Sequence, residues 1–303
     1  MTANSNPIFV IGSINTDMVA MTEVLPSPGE TVMGREFMMT AGGKGANQAV
    51  AAARMGGDVT MIGRLGNDVF AEQSIKRLKS ENINCEFITK DTEKSSGVAL
   101  ISVDQNGENH IVVAPGANET LTKERLGSVL SQIPDNAIVM MQLEIPLESI
   151  VSVIEFCKKS DKKIILDPAP AKNLTPEFTK SLYMITPNET EATAMTGVKI
   201  KDLRDVKKAA IKLLGSGSQY VLITMGANGV YLASQNDEFE YIPSPKVTTI
   251  DSTAAGDCFN GTLAVSLSQG LSVFEAAKKA CRAASISVTR KGAQDSMPFI
   301  NEL

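Results

Sequence analysis

Residues 138–166 read IVMMQLEIPLESIVSVIEFCKKSDKKIIL. Ile138 to Met141 and Ile164 to Leu166 are short apolar runs. Between them, over Leu147 to Lys159, the apolar residues Ile150, Val151, Ile154 and Cys157 recur at helical spacing. Strand, helix and strand in that order make a βαβ unit. Its strands are apolar throughout because helices cover both faces of a parallel sheet. The same alternation continues in both directions. Ile8 to Ile11, Val59 to Ile62 and Val221 to Thr224 read as strands. Asn47 to Met55, Asp68 to Glu81, Asn188 to Met195, Leu203 to Leu214, Gly256 to Ser268 and Val273 to Thr289 read as helices. The expected fold class is α/β: a doubly wound, mostly parallel sheet flanked by helices, in one domain over residues 1–303.

Two stretches break the alternation. Asp17 to Thr40 holds β-type runs around Pro26, Pro28 and Gly29. Gly97 to Val113 has β-branched runs on either side of an Asn106-Gly107 turn, a hairpin signal. These strands, at about 17–40 and 97–113, are expected to form a small separate β-sheet. A lid over the active site is the functional reading, and a plain surface hairpin the bland one.

Composition removes several function classes. The 303 residues carry 29 Lys+Arg against 34 Asp+Glu, a net charge of −5, with no Trp and 5% aromatics. Such a chain lacks material for neutralising phosphates and stacking bases, so no nucleic-acid partner is expected. The single histidine, His110, excludes a multi-histidine metal site. Cys85, Cys157, Cys258 and Cys281 show no C-x-x-C spacing and read as reduced thiols of a cytoplasmic protein. Met1 to Pro7 has no basic segment before the apolar run, which argues against a signal peptide. No apolar run approaches the ~18 residues of a membrane span, so no membrane partner is expected.

Three nucleotide-binding signatures are missing. Gly43-Lys44 is followed by Gly45 rather than Ser or Thr, so there is no Walker A loop. No G-x-G-x-x-G follows the first strand, and no His-Arg-Asp occurs. P-loop NTPases, dehydrogenases of the usual type and protein kinases are disfavoured.

Other clusters carry chemistry. Ala41-Gly-Gly-Lys-Gly-Ala-Asn-Gln48 is a glycine-rich entry to a helix, where backbone can approach a ligand and Lys44 and Asn47 can donate to hydroxyls or an anion; a loop that merely turns the chain into a helix is the bland alternative. Ser13-Ile-Asn-Thr-Asp17 follows the first strand, and Asn15 and Asp17 share a side of an extended segment. Ligands in open α/β sheets bind beyond the C-terminal strand ends, which suits that pair to vicinal hydroxyls; an Asx turn is the bland alternative. Asp251-Ser-Thr-Ala-Ala-Gly-Asp257 precedes an apolar helix. Free N–H groups there suit an anion, and Asp257 is either a base or a simple cap. Thr186-Pro-Asn-Glu-Thr-Glu191 fits a capping box as well as it fits an Asn and an acid organising phosphate and hydrated Mg²⁺. Thr224-Met-Gly-Ala-Asn-Gly229 suits a nucleotide loop or a strand–strand turn, and Gln142-Leu-Glu144 ends a strand where a ligand would lie.

With Thr289-Arg-Lys-Gly-Ala293, these motifs stand in an order that resembles the ribokinase-like carbohydrate kinase family from about Ile8 to Pro298. The resemblance implies an ATP-dependent transfer of phosphate to the 5-hydroxyl of D-ribose, and a homodimer formed through the lid strands. Asn15, Asp17, Gly43, Lys44, Asn47 and Glu144 would hold the sugar, and Asp257 would be the catalytic base. Ala254, Ala255, Gly256 and Asp257 would form the anion hole. Asn188, Thr224, Gly226, Gly229 and Gly256 would contact ATP, with Glu191 ordering Mg²⁺ indirectly. An activating K⁺ would take Asp251, Thr253, Ser287, Arg290, Gly292 and Ser296, several through carbonyls. Asp295 adds a charge beside that loop. A kinase for 2-deoxyribose, fructose or adenosine is the near alternative, and a catalytically silent sugar-binding regulator the distant one.

Overall fold

The computed structural model describes residues 5–303 other than 161, 173 and 175. Met1 to Asn4, part of the segment read against a signal peptide, lie outside the described residues. In chain order the first half holds β1 (Ile8–Ile11), β2 (Asn15–Thr22), β3 (Gly34–Gly42), α1 (Lys44–Arg54), β4 (Val59–Leu65), α2 (Val69–Ser80), β5 (Asn84–Lys90), β6 (Gly97–Val103) and β7 (Asn109–Ala114). Then follow α3 (Lys123–Leu130), β8 (Ile138–Met141), α4 (Leu147–Cys157), β9 (Lys163–Leu166), a short α5 (Pro176–Thr179), β10 (Met184–Ile185), α6 (Glu189–Thr196) and α7 (Leu203–Leu214). The chain ends with β11 (Tyr220–Thr224), β12 (Val230–Ser234), β13 (Phe239–Ile242), α8 (Ala255–Ser268) and α9 (Val273–Ser287).

The main sheet runs β13-β12-β11-β10-β9-β8-β1-β4-β5. It is parallel from β5 to β11, with β12 and β13 antiparallel at one edge. β1 lies between β8 and β4, so strand order reverses there and leaves a crevice beyond the strand ends. One face packs α1, α8 and α9 through Ala46, Ala49, Leu263 and Ala280; the other packs α4 and α7 through Ile150, Ile154, Val206 and Ala210. Full burial of a side chain such as Ile150 contributes about 1.5–3 kcal/mol. No helix among the described residues is long and apolar enough to cross a membrane.

The off-pattern strands form a second sheet in the order β3-β2-β6-β7. β2 pairs with β6 in parallel, while β2–β3 and β6–β7 are antiparallel. This sheet starts earlier than expected, at Asn15, and reaches Gly42, so the sugar candidates Asn15 and Asp17 stand on one of its strands. In the hairpin, Gly107 N–H bonds Asp104 O at 3.1 Å, which makes Gln105 and Asn106 the central pair instead of Asn106 and Gly107. Gly107 follows with φ +84°, a left-handed position natural to glycine. Helix α1 also starts earlier than its apolar pattern indicates, at Lys44, with Gly43 as N-cap at φ +87°.

Candidate active site

Five strand ends and one helix N-terminus converge on the crevice. β1 leads into Ser13 and Asn15, β8 into Gln142 and Glu144, β9 into Asp167, β10 into Asn188 and β11 into Thr224, while α8 brings Asp257 across from its N-terminus.

Asp257 is the centre. It is buried in the first turn of α8, where Asn47 Nδ2 donates to its Oδ2 at 2.9 Å and Gln48 Nε2 to its Oδ1 at 3.1 Å. The N–H groups of Gly256 and Asp257 have no acceptor among the described residues, as the first turn of a helix requires. Ala255 departs from the expected anion hole, because its N–H bonds Ser252 O at 3.2 Å. Ala254 adopts φ +58°, a left-handed conformation costing a residue with a Cβ about 1–2 kcal/mol, and this bend turns the chain into α8.

The sugar candidates surround Asp257 unevenly. Glu144 Oε2 accepts from Ser13 Oγ and from the Lys44 N–H at the start of α1. A Cβ at Gly42 would lie 2.3 Å from both Asp17 carboxylate oxygens, so only glycine leaves that acid its place. Burial, then the charges of Glu144 and Asp257, push Asp17 up to about 6 against the opposing Lys44. Burial pulls Lys44 down, but the carboxylates of Asp257, Asp167, Glu144 and Glu191 outweigh it and hold the ammonium above the ordinary lysine range. Burial raises Asp257, opposed by Lys44, Asn47 and Gln48. Asn15 is partly spoken for: its Oδ1 accepts from Asn118 Nδ2 at 2.8 Å.

On the other side of the anion loop lies a cavity of about 470 Å³, walled by Thr224, Gly226, Gly229, Gly256, Val247 and Val288. Asn188 is not on that wall. Its side chain accepts from Glu191 N–H and Glu191 Oε2 accepts from Asn188 N–H, both at 2.8 Å, so the capping box is real. Only Oε2 of Glu191 is engaged in that box. Burial lifts its pKa, with the Asn188 bonds and Lys44 opposing.

Asp251 ties two loops together. Its Oδ1 accepts from Thr253 N–H and Oγ1, and its Oδ2 from Gly292 N–H at 2.8 Å. Burial alone would raise it, but the Thr253 and Gly292 bonds prevail and lower it. Ser287 and Ser296 spend their hydroxyl protons on the carbonyls of Ala284 and Ala293. The Arg290 guanidinium pairs with Glu302, which leaves only its carbonyl for a cation. Asp295 points away to Arg77 at 2.6 Å. Among the described residues no group of three or more His, Cys, Asp or Glu side chains could hold a metal.

Sequence reasoning missed Asp167, which receives Gln48 Nε2 at 2.8 Å, and gave Gln48 no role. It also missed Asn118 and Gln294, whose Nε2 donates to Asn47 Oδ1 at 3.2 Å. Asp167 is the first polar residue after β9, so the strand-end rule applied to the other segments was a usable signal for it.

The model of the pfkB family carbohydrate kinases matches residues 5–300. The chain belongs to this family. Among pfkB relatives, the ribokinase of Haemophilus influenzae is 40% identical over 97% of this chain and 95% of its own. The deoxyribokinase of Salmonella typhi is 36% identical over 97% and 96%. A solved structure, the Arabidopsis thaliana ribokinase complexed with ribose and ATP, superposes with a TM-score of 0.92 at 31% identity, covering 98% of this chain and 97% of that one. The chain is a carbohydrate kinase with the ribokinase-like fold, as its sequence motifs imply.

Proposed function

We propose that this chain transfers the γ-phosphate of ATP to the 5-hydroxyl of D-ribose. The observation that carries the reading is Asp257, a buried carboxylate at a helix N-terminus beside unpartnered N–H groups. The sugar lies against Asn15, Asp17, Gly43, Lys44, Asn47 and Glu144. The nucleotide occupies the cavity at Thr224, Gly226, Gly229 and Gly256. The N–H groups of Gly256 and Asp257 receive the phosphoryl oxygens, where fixed dipoles act most strongly in a dry site. Asp257 orients the hydroxyl and takes its proton as the new O–P bond forms, while the bond from the γ-phosphorus to the bridging oxygen breaks and ADP leaves. Glu191 would hold Mg²⁺ through water, supplying neutralisation of phosphate charge. The carbonyls around the Asp251–Gly292 tie would hold K⁺, which would stiffen the loop beside the anion hole.

A coupled assay across ribose, 2-deoxyribose, fructose and adenosine tests this reading. The highest kcat/KM belongs to ribose, and a higher value for any of the others overturns the assignment. The deoxyribokinase relative makes 2-deoxyribose the serious rival. Asp17→Ala raises the ribose KM by roughly 10- to 100-fold, the loss of a charged hydrogen bond, and narrows the preference over 2-deoxyribose. Because Asp17 must be ionised to accept, the wild-type ribose KM also climbs as pH falls through about 6. An unchanged KM in the variant removes Asp17 from the sugar site.

Two further parts of the proposal have their own tests. Replacing K⁺ by Na⁺ lowers the rate, and Asp251→Ala abolishes the response; equal rates in both salts would count against a cation loop. The lid exposes Phe37, Leu100, Ile111 and Val112, with β3 and β7 as open edges. A second copy is the occupant that closes a small sheet of this kind by symmetry. Sedimentation at micromolar concentration then gives twice 32.2 kDa, and a monomer would refute the pairing.

A further inference from the structure

One amide holds two buried acids. Gln48 Nε2 donates to Asp257 Oδ1 at 3.1 Å and to Asp167 Oδ2 at 2.8 Å. Its Oε1 accepts from Gln142 Nε2 at 2.7 Å. The four side chains come from α1, α8 and the ends of β8 and β9, and all are buried. An amide nitrogen has two protons, and here each serves a different carboxylate. The amide cannot be turned over. Reversed, its oxygen would face both acids and its NH₂ would face the Gln142 NH₂.

We propose that Gln48 is a positioning residue for Asp257, and that Asp167 acts through Gln48 as the anchor of that amide. The inference rests on Asp257 being the base. Asn47 restrains only one carboxylate oxygen; Gln48 supplies the second donor and so fixes the plane of the group. Without Asp167 and Gln142, Gln48 is a flexible side chain with one partner. The proton leaving the sugar hydroxyl ends on Asp257, and neither Gln48 nor Asp167 takes it. The charged groups that face Asp257 are Lys44 from α1, Glu144 after β8, Asp167 after β9 and Asp17 from β2.

Gln48→Met keeps the length and removes the donor. A misplaced base costs roughly 10- to 100-fold in kcat, while the KM values for ribose and ATP stay within about twofold. A carboxylate that loses a donor holds its proton more tightly, so the acid limb of kcat moves up by about one pH unit. Asp167→Leu lowers kcat as well, and the double variant is no worse than Gln48→Met alone, because one acts through the other. If Gln48→Met does not fold, Gln142→Leu frees the same amide from its far end, and its acid limb moves up in the same direction. Three results would overturn the proposal. One is an acid limb that stays in place. Another is full additivity of the two losses. The third is an Asp167→Leu defect repaired by raising Mg²⁺, which would assign Asp167 to the cation. Failure of the reading of Asp257 itself is separate: in that case Asp257→Asn retains turnover.

Discussion

Asp257→Asn lowers kcat by about 10²- to 10⁴-fold, the usual worth of a general base, while ribose and ATP still bind. The substitution keeps the shape of the side chain and removes its proton acceptor. Asn47 and Gln48 both donate to the carboxylate, so an amide in its place must turn one NH₂ against a donor. Phosphoryl transfer has a loose transition state and demands little covalent help, so the loss falls on orientation and on the late proton. The competing reading makes Asp257 a helix cap. Its replacement would then cost roughly 1 kcal/mol of stability with turnover intact. The acceptor pattern argues against that: both carboxylate oxygens are engaged by side chains of α1, and neither accepts from an N–H of α8. Turnover, calorimetric ribose binding and melting temperature on the one variant separate the two. A near-normal kcat with a lowered melting temperature would leave only the cap.

Gly261→Ala destabilises the fold by about 1–3 kcal/mol, the usual cost of overpacking, and reduces kcat as well. A Cβ at Gly261 would stand 2.5 Å from Ala51 Cβ, 2.6 Å from Gln48 O and 2.8 Å from Ala52 N. These are atoms of α1, mostly backbone, with no flexible end to move aside. The two helices must therefore separate. α1 carries Asn47 and Gln48 and α8 carries Asp257, so the same separation lengthens both bonds to the Asp257 carboxylate. Thermal melting and kcat measured together check this. A fall in stability without a fall in kcat would show that the crevice tolerates a shift of the helix pair.

The strand–helix alternation was legible because period and length carry it: Ile138 to Met141 and Ile164 to Leu166 are apolar throughout, as buried parallel strands must be. Elements with weaker patterns were not. β5 is a half-exposed edge strand, β10 is two residues long, and β12 and β13 form an antiparallel margin with no helix between them. The start of α1 was hidden because Gly43 and Gly45, which admit close backbone contact, read as loop residues. At the site, residues standing in dense motifs were visible and residues standing alone were not. Asp257 announced itself within a run of small residues, and the structure buries it at the helix N-terminus. Asp167 sits in Asp-Pro-Ala-Pro, outside any dense motif; its place directly after β9 was its one signal, and its partner Gln48 comes alongside only when α1 packs there. Asn188 shows the converse: its motif was equally consistent with capping, and its side-chain oxygen makes the cap.

The contact between α1 and α8 also bears on biosynthesis. Asn47 and Asp257 are 210 residues apart, and Gln294 reaches Asn47 across 247. A ribosome therefore releases α1 long before it makes the helix that covers it. During that interval the side of α1 that α8 covers, with Ala51 and Ala52, stays open, and the strands of the second sheet are already present. A chain stopped short of α8 has Asn15, Lys44 and Glu144 but neither Asp257 nor the covering helix. Such fragments are prone to association in proportion to the apolar surface they leave open.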